Sequence, residues 1–172
     1  MKFNPIGIPV VIMKKMPITK KGFEKLKKDL EHLKTVALPD NIRDIEAARA
    51  HGDITENAEY AAAKERQAFI HGKMQELENN LALSQIIDLK DLNSDKVIFG
   101  STVTIEDINS GKSIQYQLVG PFESDINQNM ISVTSPIGKA LIGKSMGDAV
   151  SVKTPGGIRE FEVVKISFRN ES

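Results

Sequence analysis

Apolar residues recur at spacings of three and four from Phe23 through Leu26, Leu30 and Leu33, with Lys20, Lys21, Glu24, Lys25, Lys27, Lys28, Asp29 and Glu31 between them. That pattern predicts an amphipathic helix with one apolar seam on a charged rod. Thr19 stands where an N-cap belongs, and Pro17 lies just outside. Ile42, Ile45 and Ala48 carry a second periodic stretch to about Ala50. Pro39 lies between the two stretches, and because proline removes a helical hydrogen bond and disfavours helix in the residue before it, a kink or restart is expected there. His51, Gly52 and Asp53 then supply a helix stop followed by a capping residue.

A further helix is expected from about Ile54 or Thr55 to about Leu83. It is alanine-rich at first (Ala58, Ala61, Ala62, Ala63) and bulkier later (Phe69, Ile70, Met74, Leu77, Leu81). Two long amphipathic helices joined by a few residues must be antiparallel neighbours, so residues 19–83 read as a helical hairpin with facing seams and a slender, alanine-lined tip. Arms of about 30 residues would reach on the order of 45 Å.

After Leu83 the period changes. Residues 84–96 read as a connector, and short β-rich runs follow at 97–99, 102–106, 114–119, 130–134, 149–153 and 161–166. Asn109-Ser110-Gly111 and Pro155-Gly156-Gly157 mark hairpin turns, and residues 135–143 fit one helical turn packed on the sheet. The fold class is therefore α+β, a helical hairpin followed by a β-rich domain.

Composition narrows the chemistry. Lys plus Arg and Asp plus Glu are both 23 in a chain of 172 residues, so no overall basic field attracts nucleic acid or an anionic membrane, and any such contact must be local. The absence of cysteine excludes disulfides, thiolate metal sites and a cysteine nucleophile, and suits a reducing cytoplasm, the expected location. His32, His51 and His71 are scattered, which argues against a histidine zinc site. The opening MKFNPIGIPVVIMKK has an apolar run interrupted by Pro5, Gly7 and Pro9 with no small-residue cleavage site after it; it reads as a short disordered extension or an upstream start codon, not a signal peptide or membrane span. Nucleophilic triads, phosphate loops and the dinucleotide fingerprint are absent from the sequence.

The most informative place is the turn of the hairpin, where Asp53-Ile54-Thr55-Glu56 puts two carboxylates three residues apart. In helical geometry their Cβ atoms would be roughly 5 to 6 Å apart on one side. Such a pair can hold one hard divalent ion, and magnesium often takes one or two protein carboxylates while its other ligands are waters and substrate phosphate. The same D-x-x-E spacing at a helix start is also a capping box, and the two readings are compatible. Arg43, Arg49, Lys64 and Arg66 lie nearby, interleaved with Glu46, Glu59 and Glu65, as on a solvated face with short-range ion pairs. Asn57 and Tyr60 are candidates for contact with a nucleotide by hydrogen bond or stacking, although Tyr60 is equally suited to bracing the two helices.

The string EAARAHGDITENAEYAAAKERQ at 46–67 resembles the coiled-coil tip of bacterial Gre factors, the A type in particular. VIFGSTVTI, QNMISVTSPIGKALIGK and VKTPGGIREFEVVKI resemble the carboxy-terminal domain of the same family. The resemblance runs over about residues 16–168. It implies an antiparallel coiled-coil hairpin at 16–84, essentially continuous past Pro39, a linker at 85–96 and an FKBP-like polymerase-docking domain at 97–172, after the extension at 1–15. Residue by residue, the family's acidic pair falls on Asp53 and Glu56. Its basic positions toward the RNA 3′ end or the channel fall on Arg49 and Lys64, and Asn57 and Tyr60 stand in the matching tip string. Lys64 replaces an arginine common in relatives, keeping the charge but losing the planar fork.

What the resemblance implies is an accessory factor and not an enzyme. It would enter the secondary channel of bacterial RNA polymerase and stimulate the polymerase's own cleavage of backtracked RNA at the extruded 3′ end. DNA binding and regulation of DNA-templated transcription elongation are among the implied properties. No cofactor of its own is expected, only the Mg2+ of the polymerase active site, shared by Asp53 and Glu56 within the complex. A monomer is expected because the hairpin satisfies its own seams. Two alternatives stay open: a non-cleaving secondary-channel regulator, and a prolyl isomerase or peptide-binding module, the latter disfavoured by a chain with no Trp and two Tyr.

Overall fold

The computed structural model describes residues 15–52, 57–89 and 94–168. The chain divides into two compact units, a helical one at Lys21–Ala82 and a β-rich one formed from the residues up to Lys20 together with those from Leu83 onward. The extension expected at 1–15 lies outside the described residues except for Lys15, as do Asp53 to Glu56.

The helical unit is built from α1 (Lys20–His32), a π-helical turn (Leu33–Ala37), α2 (Leu38–Ala50) and α3 (Ala58–Leu83). Inward positions of α3, namely Tyr60, Ala63, Gln67, Ile70, Met74, Leu77 and Leu81, are buried or half-buried at alternate spacings of three and four, a seven-residue repeat that keeps one seam facing a partner helix. Contacts across the seam fix the antiparallel sense. Lys34 meets Glu78 at 2.6 Å, Asn41 Nδ2 donates to the Ala63 carbonyl at 2.9 Å, Arg66 meets Asp44 at 3.3 Å and Asn57 Nδ2 donates to the Ala48 carbonyl at 2.7 Å.

The kink or restart expected at Pro39 is replaced by the π turn, in which the Leu38 N–H reaches the Leu33 carbonyl, five residues back. The turn has a second effect. By adding a residue it delays the helical phase by about 100°. Continued as plain α-helix from Leu26, the seam would receive Asp44; with the π turn it receives Asn41, Ile45 and Ala48, all buried. Ile42, expected in the seam, is instead 42% exposed.

In the β-rich unit the five-stranded sheet has the order β5-β4-β3-β7-β6, with β3 (Ser101–Asp107), β4 (Ser113–Val119), β5 (Met130–Ser132), β6 (Ala149–Thr154) and β7 (Gly157–Phe168). All neighbours are antiparallel except β4 and β5. Strict alternation along β3 buries Val103 and Ile105 on one face, where Leu118, Ile131, Val150, Val152, Phe161 and Val163 join them under α4 (Pro136–Leu141), which contributes Leu141. The helical turn expected at 135–143 is α4, capped by Ser135, whose Oγ accepts from the Gly138 N–H. The run at 97–99, expected as a strand, is not one. Val97 is tied into a loop, its N–H donating to the Lys144 carbonyl at 2.7 Å and its carbonyl accepting from Gly143 at 2.8 Å, with its side chain in the core.

A second, two-stranded sheet pairs β1 (Met16–Ile18) in parallel with β2 (Ser84–Ile86), so the start of the expected connector is a strand. Thr19, placed by the periodicity at the helix start, is held in this unit by Glu123. Its N–H donates to Oε1 at 2.9 Å and its hydroxyl to Oε2 at 2.5 Å. Gly120 lies so close to the Pro17 carbonyl oxygen that a Cβ there would sit 1.9 Å from it.

Candidate functional site at the hairpin turn

The end of the hairpin gathers Arg49, Asn57, Tyr60 and Lys64. The first belongs to the last turn of α2, which ends at Ala50; Asn57 directly precedes α3, and Tyr60 and Lys64 lie in its first two turns. Alanines at 58, 61, 62 and 63 favour helix and carry no bulk, so α3 begins beside α2 at close range. The helix start is capped by Asn57, whose Oδ1 accepts from the Tyr60 N–H at 3.0 Å while its Nδ2 donates across the seam to the Ala48 carbonyl. One side chain thus satisfies a free N–H of α3 and gives a second donor to the Ala48 carbonyl, which also accepts from the His51 N–H at 3.3 Å. The carboxamide considered for nucleotide contact is used here to close the hairpin. The capping reading of Asp53 and Glu56 falls on residues outside the described set.

Arg49 lies over the Tyr60 ring, 5.7 Å from its centroid, a cation–π contact that braces the two helices. Hydrogen bonding to Arg49 lowers the Tyr60 phenol from its ordinary pKa of 10.0 against an opposing effect of desolvation, and the charges of Arg49 and Lys64 act with it. Lys64 is exposed and reaches Gln67 Oε1 at 2.5 Å. His51 and Glu59 form a further exposed pair across the turn at 3.1 Å, which sequence reading treated separately, His51 in the helix stop and Glu59 on a solvated face. Nothing in their spacing of eight residues signals it, because the pairing depends on where the chain reverses.

Among the described residues no group of three or more His, Cys, Asp or Glu side chains could hold a metal ion. The flanks of the turn carry Arg49 and Lys64 as cations, Asn57 and Tyr60 as neutral groups and Glu59 as an anion beside His51; Asp53 and Glu56 stand in the sequence between Gly52 and Asn57. No helix among the described residues is long and apolar enough to cross a membrane.

Comparison with known proteins covers both units of the chain. A family model described as "Transcription elongation factor, N-terminal" matches residues 16–86, and one described as "Transcription elongation factor, GreA/GreB, C-term" matches 92–168. The transcription elongation factor GreA of Syntrophus aciditrophicus is 71% identical over 154 residues, covering 90% of this chain and 96% of that protein. GreA of Methylococcus capsulatus is 54% identical over 157 residues, covering 91% of this chain and 99% of its own length. A solved structure of GreA factor homolog 1 of Thermus thermophilus is 32% identical, with 89% of this chain and 99% of that chain covered and a TM-score of 0.42. The two domain matches follow one another without overlap, and the identity extends through both, so the chain belongs to the GreA/GreB family of transcription elongation factors, as a GreA-type member.

Proposed function

We propose that this protein stimulates the intrinsic RNA-cleaving activity of a backtracked RNA polymerase by carrying Asp53 and Glu56 into the secondary channel. What supports the reading is the position of this acidic pair in the sequence, between α2 and α3 of an antiparallel hairpin, with Arg49 and Lys64 on the two helices that flank it. At 26 residues α3 is about 39 Å long. Membership of the family supports RNA polymerase as the partner. The β-rich unit, in the FKBP-like form the resemblance implies, is the docking module, and the hairpin, as a coiled coil, is the inserted one.

Within the complex, Asp53 and Glu56 would share a Mg2+ ion of the polymerase, whose other ligands come from the enzyme and the RNA. Bound there, the metal supplies stabilisation of the attacking and leaving oxygens of the phosphodiester. The residues of this chain add two anionic oxygen donors and orient the attacking water. Arg49 and Lys64 offer positive charge to the RNA 3′ end, and Arg49 is held in place by Tyr60. Because the catalytic centre is the polymerase's, the chain acts as an accessory factor, with no cofactor of its own, as a monomer in the cytoplasm.

The test is release of short 3′ RNA fragments from purified backtracked elongation complexes in magnesium, with no factor, with this protein, and with its Asp53→Ala, Glu56→Ala double variant. Fragments are expected with the intact protein and a near-complete loss with the variant. Binding to polymerase without cleavage by the intact protein would overturn the reading in favour of a non-cleaving channel regulator.

A further inference from the structure

Asn41 is the one polar side chain fully buried in the described hairpin, at 0% exposure. Its Nδ2 donates to the Ala63 carbonyl at 2.9 Å, but its Oδ1 has no hydrogen-bond partner among the described residues. A buried acceptor left unpaired is destabilising, and an apolar residue of similar size would avoid that cost. Its neighbours deepen the contrast. On the turn side of the π helix, beyond the half-buried Leu38, the seam holds Asn41, Ile45, Ala48, Tyr60, Ala63 and Gln67; on the other side it includes Leu26, Leu30, Ile70, Met74 and Leu77. The apolar area available per turn is therefore much smaller toward the tip, and the π turn at Leu33–Ala37 separates the two halves.

We propose that the hairpin is an arm of two stabilities, firm from Lys21 to the π turn and soft beyond it, and that Asn41 sets the softness of the outer half. Local opening free energies follow buried apolar contact, so the outer half opens separately and more often than the inner half. Replacing Asn41 by leucine removes the unpaired acceptor and adds apolar contact, while the Ala63 carbonyl, inside α3, keeps a helical partner. The consequence for function rests on the reading above: an outer half that yields can adjust the tip within a channel whose shape the protein does not control.

The test is amide hydrogen exchange on the full-length protein, comparing the native chain with Asn41→Leu and with the smaller Asn41→Val, which guards against overpacking. Amides of α2 and of residues 60–66 are expected to exchange faster than those of α1 and of residues 70–82 in the native protein. At least one variant should slow the outer set by about ten-fold, corresponding to roughly 1.4 kcal/mol, and leave the inner set unchanged. Equal exchange in both halves of the native hairpin, or no slowing of the outer set in either variant, overturns the proposal. Fragment release by the native protein decides the proposed function separately, since exchange is read without polymerase.

Discussion

Arg49 and Tyr60 face each other across the turn end of the hairpin, with the guanidinium carbon 5.7 Å from the ring centroid. The contact joins the last turn of α2 to the first turn of α3 and lowers the Tyr60 phenol pKa below 10.0. The sign follows from the charged form. The phenolate is favoured in the folded state, so the stabilisation is present above the unfolded value of 10.0 and is lost as pH falls through the lower folded value; at neutral pH the phenol is uncharged and contributes nothing by this route. Since the chain has two tyrosines, ultraviolet titration in a Tyr116→Phe background isolates Tyr60. It should ionise below 10.0, and Arg49→Gln should move it back up. An identical curve in the Arg49 variant would sink the assignment.

Asp107 predicts an acid dependence in the other unit. Its Oδ1 accepts from the N–H groups of Asn109 at 3.1 Å and Ser110 at 2.8 Å and from the Ser110 hydroxyl, while Oδ2 accepts from Arg159 Nε at 3.0 Å and from Nη2. The Ser110 N–H first, and then Arg159, lower its pKa from 3.8 to about 2. A depressed carboxylate contributes stability that is full above about pH 4 and is lost as pH falls toward 2. Asp107→Asn should therefore lower the melting temperature at pH 6 and shrink the difference between pH 6 and pH 2.5. A variant that melts in parallel with the native protein across that range would contradict this.

The hairpin was legible because its heptad spacing is written in consecutive residues, and the β-rich unit because alternation and Asn-Ser-Gly or Pro-Gly-Gly turns are local signals. The departures all involve distant partners. Pro39 signalled a break, but which residue the π turn brings inward depends on the facing seam, so Asn41 and not Ile42 is buried. The pairing of β1 with β2 joins three-residue strands separated by the whole hairpin, and Thr19 found its carboxylate 104 residues away. At the turn, Arg49, Asn57, Tyr60 and Lys64 do converge, but the roles of Asn57 as cap and cross-seam donor depend on Ala48, which no motif names.

Glu123 is the next point of attack. One of its oxygens accepts from the N–H groups of Thr19 and Gly120, both at 2.9 Å, and the other accepts the Thr19 hydroxyl. Hydrogen bonds to a charged group contribute about 1.5–3 kcal/mol, and a neutral carboxamide cannot accept at both ends. Glu123→Gln is expected to destabilise the protein by about 1–3 kcal/mol in urea denaturation and to speed amide exchange at Thr19. Unchanged stability with unchanged exchange at Thr19 would show that the bonds carry no net energy.

Two glycines should respond oppositely to the same added methyl group. A Cβ on Gly120 would lie 1.9 Å from the Pro17 carbonyl oxygen, a backbone atom held in the β1–β2 pairing, where Ile87 also donates to Ile18 at 2.9 Å. Gly120→Ala must displace β1 and is expected to cost about 1–3 kcal/mol, with faster exchange at the Ile87 amide. Gly72 sits within α3 with open space where a Cβ would point. There alanine relieves the entropy of a helical glycine, and a gain of about 0.5–1 kcal/mol is expected. Chemical denaturation of both variants checks the pair. A Gly120→Ala protein as stable as the native one would mean that β1 is free to move away from Gly120, and the contact could then not be what holds Met16–Ile18 in place.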